Sequence, residues 1–467
     1  MTIRTRVAPS PTGFPHIGTI YQALFDYAYA KKNNGQFVVR IEDTDRTRFI
    51  EGAEEKIYEA LDWFGLNENE SPRKDGPKGP YRQSERLELY KKYAKELIDN
   101  GHAYYCFCTK ERLDEMRKQQ QTEGKMPMYD RHCRNLSSQG IEEKRKQNVP
   151  SVIRLKIPDN ETITITDLIR GDISFDSNTI QDQVLLKADG YPTYHLAVIV
   201  DDHLMQISHV VRGEEWISTT PIHFLLYRYF KWDRPVFFHT PLLRNPDKSK
   251  LSKRHGHTSV SWYQEQGYLP EAILNFMSLM GWSHPDQKEI FPVDEFIRLF
   301  DLKDVKPVSP TFDMQKLDWM NGEYIRTMAT DELAKRIISF YKGVYSDEMI
   351  QKSTPLIQER IKKLSDYAAL CEFLYTDPKE YEIDLSAYSD LFKNVYTALK
   401  NIEVWNASSI GEAMLKTAVE AGIKNSQFFM LLRVAISGKK ISPPLNESME
   451  LLGKEKCLMR IEKAQKI

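Results

Sequence analysis

The stretch Arg6-Val-Ala-Pro-Ser-Pro-Thr-Gly-Phe-Pro-His-Ile-Gly-Thr19 decides the fold of this sequence. The apolar alternation of Ile3 and Val7 predicts a short strand, the prolines and Gly13 predict a turn, and a helix is expected after His16. The first turn of a helix has unpaired N–H groups and the positive end of the helix dipole, so it stabilises a bound phosphate. The stretch therefore predicts a strand, a phosphate-sized turn and a helix N-terminus.

The residues that follow complete a βαβ unit. Ile17 to Lys32 has apolar residues at helical spacing, and Gln36 to Ile41 has the composition of a buried strand. This order predicts a parallel sheet that binds its ligands at the carboxyl ends of the strands. Arg6 and Ser10 are expected just beyond the end of the first strand and Glu42 beyond the end of the second, so we expect all three to face one crevice.

The side chains at this edge suit an acidic amino acid. A guanidinium fork binds a side-chain carboxylate, whereas a carboxylate binds an α-ammonium group. Arg6 with Arg212 can therefore bind the side chain of such a ligand, and Glu42 can bind its amino group. The residues alone leave a second interpretation open, in which Glu42 is an N-cap or a surface carboxylate of the acidic run that ends at Asp45.

The composition limits the classes of function. The 467 residues are enough for roughly three domains. Lys and Arg number 65 and Asp and Glu number 66, so any RNA-binding surface must come from local basic clusters and not from net charge. The sequence has no apolar run of membrane-spanning length and no signal pattern, which predicts a cytoplasmic protein.

A second motif lies far downstream, in a loop rich in Ser, Pro and Gly that can close over a triphosphate. Its cationic side chains are Lys248, Lys250, Lys253 and Arg254. The combination of His16-Ile-Gly18 with Lys250-Leu-Ser-Lys-Arg254 resembles the paired signatures of class I aminoacyl-tRNA synthetases.

Further stretches occur in the order typical of one family. Together with the first stretch they are Arg40 to Asp45, Gly190 to Tyr194, Arg212 to Trp216 and Lys250 to His257. They resemble bacterial glutamyl-tRNA synthetases over most of the first 330 residues. The resemblance implies that L-glutamate is activated by ATP to glutamyl-adenylate and transferred to the terminal adenosine of tRNA(Glu). It leaves open whether tRNA(Gln) is charged as well.

The resemblance also implies roles for particular residues. The implied catalytic residues are His16, Lys250 and Lys253. The implied substrate-binding residues are Arg6, Ala8, Ser10, Glu42, Tyr194 and Arg212. The implied ATP-binding residues are His16, Gly18, Glu215, Trp216 and Lys253, with Mg²⁺ accompanying ATP. A capping glutamate and a core tryptophan are the alternatives for Glu215 and Trp216.

Three of the five cysteines are grouped, at Cys106, Cys108 and Cys133. Closely spaced thiolates in an intracellular protein mark a metal more often than a disulfide, and zinc prefers four such ligands. The resemblance implies Tyr129 as the fourth ligand, with His132 in reserve, because Asn135 stands where some relatives have a histidine. The alternative is a lost site with three free thiols.

The predicted fold class is α/β: a Rossmann-like, doubly wound parallel sheet with an inserted α+β acceptor-binding domain, followed by an all-α anticodon-binding region. The predicted domains are 1–105 and 184–250 (catalytic), 106–183 (inserted acceptor-end domain), 251–325 (stem contact) and 326–467 (anticodon binding). The stem-contact segment is expected to be helical from Ser259 to Phe300. Helical spacing in the last domain predicts helices at Asp331–Tyr341, Asp347–Tyr375, Ala387–Ile402, Ser409–Ala421 and Gln427–Ser437.

The helical tail separates the candidate functions. The related glutamine enzymes usually carry β-barrels in this region, so the helical tail favours glutamate as the substrate. It disfavours a paralogue that glutamylates a tRNA base, since such proteins typically lack this region. A catalytically silent tRNA-binding protein has no need of His16 or of the Lys250–Arg254 loop. We expect a monomer whose partners are tRNA(Glu) and L-glutamate.

Overall fold

The structure is a computed structural model that describes residues 2–249, 251 and 258–466. The predicted catalytic residues Lys250 and Lys253 lie outside the described residues. The chain forms two compact units: Met1–Ser261 with Leu274–Asp313, and Trp262–Ile273 with Met314–Ile467. The finer division into five domains stays a prediction.

The first unit contains all the strands in the described part of the chain. They are β1 Arg4–Val7, β2 Gln36–Val39, β3 Ala103–Cys106, β4 Val152–Leu155, β5 Thr162–Asp167, β6 Gly171–Asp176, β7 Val184–Leu186, β8 His209–Gly213 and β9 Val236–Thr240.

A parallel arrangement holds the strands that end at the predicted crevice. β1 and β2 are parallel, with Arg4 opposite Gln36, and β8 and β9 are parallel as well. β1 lies beside the start of β8, since the Ser208 N–H donates to the Arg4 carbonyl at 2.9 Å. The parallel sheet predicted from the sequence is confirmed.

The inserted segment supplies two further groups of strands. β3, β4 and β7 form an antiparallel sheet, while β5 and β6 form a hairpin. β5 also pairs in parallel with β9 through Asp167 and Phe237. The hairpin therefore extends the β8–β9 sheet. Side chains along β5 are alternately exposed and buried, as in a strand with one buried face. This alternation does not identify the strand with which β5 pairs.

Ten α-helices lie before Met314 in the described part of the chain. They are α1 Ile17–Lys32, α2 Ala53–Trp63, α3 Leu87–Asp99, α4 Lys110–Thr122, α5 Ser138–Lys146, α6 Tyr194–Leu204, α7 Thr220–Phe230, α8 Val260–Glu265, α9 Pro270–Ser278 and α10 Val293–Leu299. The predicted helical stretch Ser259–Phe300 is thus three short helices. Gly281 lies in the connection between α9 and α10 and adopts a positive φ, which glycine tolerates because it has no Cβ.

The second unit is helical, as predicted. Its remaining helices are α11 Met314–Thr327, α12 Thr330–Tyr341, α13 Asp347–Ile357, α14 Asp366–Cys371, α15 Ser389–Lys400, α16 Ala407–Glu420, α17 Asn425–Ser437, α18 Leu445–Leu452 and α19 Lys454–Gln465. No helix in the described ranges is both long and apolar enough to cross a membrane.

The prediction of one helix over Asp347–Tyr375 is wrong. α13 contains Pro355, which cannot donate a backbone hydrogen bond, and it ends two residues later. The carboxylate of Asp366 then accepts hydrogen bonds from the N–H groups of Lys362 and Lys363, at 2.8 and 2.9 Å, and so closes the turn before α14. Apolar spacing continues across this turn because both flanking helices face the same core.

Candidate active site

A cavity of ≈ 650 Å³ lies at the carboxyl ends of β1, β2 and β8. Its lining includes all the residues predicted to bind the amino acid, which are Arg6, Ala8, Ser10, Glu42, Tyr194 and Arg212. Trp216 lines it as well, and its ring lies 4.5 Å from that of Tyr194. The structure therefore brings these residues together, as expected for strands that end at one edge of a sheet.

A second cavity, of ≈ 270 Å³, lies beside the N-terminus of α1. His16, Gly18 and Glu215, three of the predicted ATP-binding residues, line it together with Leu251 from the basic loop. Gln22 lines both cavities, so the two spaces adjoin. The first turn of α1 therefore faces a space next to the amino-acid cavity.

Two glycines at the second cavity lie close to side chains of the predicted ATP site. His16 caps α1 through its Nδ1, which accepts from the Gly18 N–H at 2.9 Å, and a Cβ on Gly18 would lie 3.0 Å from that atom. A Cβ on Gly213 would lie 2.0 Å from Oε2 of Glu215. A side chain at Gly18 would press on the His16 ring, and a side chain at Gly213 would require the Glu215 carboxylate to move.

The floor of the first cavity is a buried ionic network that sequence reasoning missed. Asp202 accepts from Arg6 Nε at 3.0 Å and from Arg40 Nη1 at 2.7 Å. Arg40 Nη2 also donates to Glu42 Oε1 at 3.0 Å. Although burial raises the pKa of Asp202, the two guanidinium groups outweigh it and hold that pKa below its usual range. The network fixes the head group of Arg6 against the sheet.

Glu42 is buried in this network, so the interpretation as a surface carboxylate is wrong. Burial raises its pKa, and the neighbouring guanidinium of Arg40 opposes that shift. One oxygen, Oε1, is engaged by Arg40. The carboxyl group is in the right place to accept a hydrogen bond from an ammonium group in the cavity.

Arg212 is buried in β8, and its side chain lines the same cavity. Its Nε donates to His239 Nε2 at 3.1 Å, and its Nη2 donates to Thr220 Oγ1 at 2.8 Å. Its Nη1 donates to His223 Nδ1 at 2.9 Å and to the Tyr194 hydroxyl at 3.3 Å. Burial lowers the pKa of Arg212.

The histidines around Arg212 were not predicted from the sequence. His239 Nδ1 donates to Asp167 Oδ2 at 2.7 Å, and His223 Nε2 lies 3.2 Å from His195 Nδ1. Burial lowers the pKa of His239 to about 4 and that of His223 well below its usual value. The available signal was a histidine inside each of two apolar runs, in α7 and β9.

The cysteine cluster lies in the inserted segment, away from both cavities. The sulfur atoms of Cys106, Cys108 and Cys133 all lie within 4.8 Å of one another. The Tyr129 hydroxyl is 3.3 Å from the first sulfur and 3.7 Å from the second. His132 is exposed and offers no ligand atom to this group. Of the two predicted fourth ligands, only Tyr129 is close to the thiols.

Asp26 on α1 also lines the amino-acid cavity, and its carboxyl group is fully buried. Within the described part of the chain, neither carboxyl oxygen has a hydrogen-bond partner. Burial raises its pKa well above the usual value, and Arg6 opposes that shift. Below the unfolded pKa of about 4, the Asp26 carboxyl is protonated in both the folded and the unfolded state and does not lower the stability of the protein. As the pH rises from that value through the higher folded pKa, the free energy of unfolding falls.

Asp26→Asn is therefore expected to raise the melting temperature at pH 8, by on the order of 2 °C. The difference between variant and parent should shrink as the pH falls and the parent carboxyl takes up a proton. Differential scanning fluorimetry at pH 5 and pH 8 measures both values. A variant that melts below the parent at pH 8 would contradict this expectation.

Two family descriptions match the chain. Residues 2–319 match tRNA synthetases class I (E and Q), catalytic domain, and residues 332–465 match the anticodon binding domain. A glutamate–tRNA ligase of Acidothermus cellulolyticus is 47% identical, with 100% of this chain and 96% of that protein covered. A glutamate–tRNA ligase of Thermus thermophilus is 46% identical, with 98% and 99% covered.

Solved structures agree with the sequence relatives. A glutamate tRNA ligase from Elizabethkingia meningosepticum, crystallised in complex with its amino acid, superposes with a TM-score of 0.89 at 36% identity. The alignment covers 100% of this chain and 99% of that one. The glutamate-tRNA synthetase of Elizabethkingia anophelis gives the same TM-score and identity. The chain therefore belongs to the bacterial glutamate–tRNA ligases, within the class I tRNA synthetases.

Proposed function

We propose that the protein activates L-glutamate with ATP and transfers the glutamyl group to the terminal adenosine of tRNA(Glu). The observation that carries this proposal is the cavity in which Arg212, Arg6 and Glu42 face one another. Its charges are complementary to an amino acid with two carboxylates and one ammonium group. Relatives named glutamate–tRNA ligase match over nearly the whole chain, and no finding favours the silent binding protein or the base-glutamylating paralogue.

In the proposed complex, Arg212 binds the side-chain carboxylate of glutamate, with the Tyr194 hydroxyl beside it. Arg6, whose head group is fixed by Asp202, binds this carboxylate together with Arg212. Glu42 and Ser10 bind the ammonium group. Ala8 contributes backbone at the end of β1. This orientation directs the α-carboxylate towards the adjoining cavity at α1.

ATP is proposed to occupy that adjoining cavity, as its magnesium complex. The α-carboxylate attacks the α-phosphorus in line, the bond to the bridging oxygen breaks, and pyrophosphate leaves with its electron pair. His16, Gly18 and Glu215, which line this cavity, hold the nucleotide in this proposal, and Trp216 contacts it from the amino-acid cavity next to it. Lys253, assisted by Lys250, stabilises charge on the phosphates, as positioned donors do in such reactions. The terminal hydroxyl of tRNA then attacks the glutamyl-adenylate, and AMP leaves.

The test of this function is charging of purified tRNA(Glu) with labelled glutamate, together with glutamate-dependent exchange of pyrophosphate into ATP. Running both with and without tRNA separates activation from transfer. We expect charging with glutamate and none with glutamine. No charging and no exchange, with ATP binding absent too, would favour a silent tRNA-binding protein.

The same assay decides the finer points of the proposal. We propose tRNA(Gln) as a second acceptor, and its charging with glutamate would identify a non-discriminating enzyme. We also propose that the active form is a monomer. Light scattering of the active protein tests that point. The proposed location is the cytoplasm, where tRNA and ATP are available.

We propose that zinc binds Cys106, Cys108, Tyr129 and Cys133. Three thiols and a phenol are suitable donors, and the 3.6 Å between the sulfur atoms of Cys108 and Cys133 fits two corners of a tetrahedral site. The hydrogen bond between Cys106 and Cys133 lowers the pKa of the Cys106 thiol and raises that of the Cys133 thiol, so the two sulfur atoms share one proton. When bound, zinc would join β3 to the following loop and fix the inserted segment.

Purified protein is therefore expected to contain one zinc ion per chain by atomic emission, and Cys108→Ser to lose it. Cys457→Ala is the control, because its thiol is buried in the other unit. It should retain zinc. Protein that takes up no zinc from a zinc-containing buffer, and whose three grouped thiols all react with a thiol reagent, would show a lost site.

A further inference from the structure

Three buried arginines line or underlie the amino-acid cavity, and Arg212 differs from the others in its partners. Arg6 pairs directly with Asp202, and Arg40 pairs with both Asp202 and Glu42. Within the described part of the chain, Arg212 forms no ion pair. Its protein acceptors are the side chains of His239, His223, Thr220 and Tyr194. All these groups are neutral when they accept a hydrogen bond.

The hydrogen bonds determine the tautomers of both histidines. A guanidinium group only donates, so His239 Nε2 and His223 Nδ1 must both accept. His239 then carries its proton on Nδ1 and donates it to the Asp167 carboxylate. His223 carries its proton on Nε2 and directs it to His195 Nδ1. Each imidazole is therefore a neutral acceptor towards Arg212.

Asp167 fixes the tautomer of His239 and the position of its strand. Its Oδ2 accepts both the Nδ1–H of His239 at 2.7 Å and the backbone N–H of the same residue at 2.9 Å. Its Oδ1 accepts from the backbone of Ile169 and Arg170. The carboxylate is thus one imidazole away from Arg212 and does not contact it.

The positive charge of Arg212 is consequently held in place without a direct counter-ion. Burial keeps both imidazoles uncharged at neutral pH, because it lowers their pKa values. Nη2 makes one hydrogen bond to the described residues out of the two it can donate. Arg212 lines the cavity. A carboxylate that enters the cavity would be its first direct anionic partner.

We propose that His223 and His239 are positioning residues that select for an acidic side chain: they orient Arg212 with neutral acceptors and leave its charge for the carboxylate of the substrate. This inference rests on the proposed function, in which that substrate is glutamate. The neutral amide of glutamine would leave the buried guanidinium without a counter-ion. Discrimination between the two amino acids therefore depends on residues that do not contact either of them.

A matched pair of variants at position 223 tests whether the charge of the group that accepts from Arg212 matters, with the size of the side chain held nearly constant. His223→Gln offers Arg212 a neutral oxygen acceptor, whereas His223→Glu has nearly the same size and offers a carboxylate. We expect the Gln variant to keep the KM for glutamate within about 3-fold of the parent. We expect the Glu variant to raise that KM about 100-fold, because it pairs with the charge that the substrate needs.

The measurements are the KM and kcat for glutamate in tRNA charging and the dissociation constant of glutamine by calorimetry. In the Glu variant, the preference for glutamate over glutamine should fall by a similar factor, about 100-fold. A purely structural role would impair both variants alike and leave this preference unchanged. Equal KM values in the two variants, whether both near the parent or both raised, would overturn the inference.

A second pair keeps the inference testable if His223→Glu does not fold. Thr220→Asn and Thr220→Asp place a neutral amide or a carboxylate near Nη2 of Arg212, whose present acceptor is the Thr220 hydroxyl. The Asp variant alone should lose glutamate affinity. A parent that charges no tRNA with glutamate would instead refute the proposed function, and the inference with it.

Discussion

Arg212→Gln is expected to raise the KM for glutamate by about 300-fold, equivalent to about 3.4 kcal/mol. The variant removes a charged hydrogen-bond donor from a buried site, so a substrate carboxylate there would lose both its partner and its hydration. The kcat at saturating glutamate should fall less, because the reacting α-carboxylate is not the group that Arg212 binds in the proposed complex.

Steady-state charging assays with tRNA measure both constants, and Arg48→Gln is the matched control. Arg48 also lines the cavity, but its side chain is 72% exposed and pairs with Asp45, so its removal should leave the KM within about 2-fold. Arg212 makes four buried side-chain hydrogen bonds, so Arg212→Gln should melt below Arg48→Gln, and the KM is compared at a temperature at which both variants are folded. An unchanged KM would contradict the assignment of Arg212.

Asp202→Asn is expected to lower the stability of the first unit by about 3 to 5 kcal/mol. The variant keeps the shape of the side chain but removes the negative charge between Arg6 and Arg40. Arg6 then has no ion pair within the described part of the chain, while Arg40 keeps its ion pairs with Glu42 and Asp201. A buried charge that has lost its partner is far more costly than an exposed one.

Calorimetry should show that the melting temperature of the first unit falls by on the order of 10 °C. Asp62→Asn is the control, because Asp62 forms an ion pair with Arg73 at 2.6 Å but is 49% exposed. Its loss should be at most about 1 kcal/mol. If the two variants unfold at the same temperature, the ionic network under the cavity does not stabilise the unit.

The elements that could be predicted are those whose signals lie close together in the sequence. The alternation before Arg6, the capping His16 and the helical spacing of Ile17 to Lys32 all lie within one short stretch. Because the carboxyl ends of parallel strands meet at one edge, residues after β1 and β2 could be assigned to a common cavity without coordinates. Arg212, which lies in β8, was assigned to the same edge.

What could not be predicted depends on contacts between distant residues. Asp167 and His239 are 72 positions apart, and their hydrogen bond exists only because β5 pairs with β9. Asp202 lies at the buried face of α6, where its charge breaks an apolar pattern without indicating which arginines it meets. The break between α13 and α14 was missed for a similar reason, since both helices face one core.

The discontinuity of the two units affects the order in which the chain can fold during synthesis. Trp262–Ile273 belongs to the second unit, and Leu269 and Ala272 are buried in its core. Their partners on α11, α12 and α13 are translated only after Leu274–Asp313, which belongs to the first unit. The apolar segment Trp262–Ile273 therefore stays without its core partners while the first unit is completed. A ribosome that stops near residue 313 leaves this segment exposed.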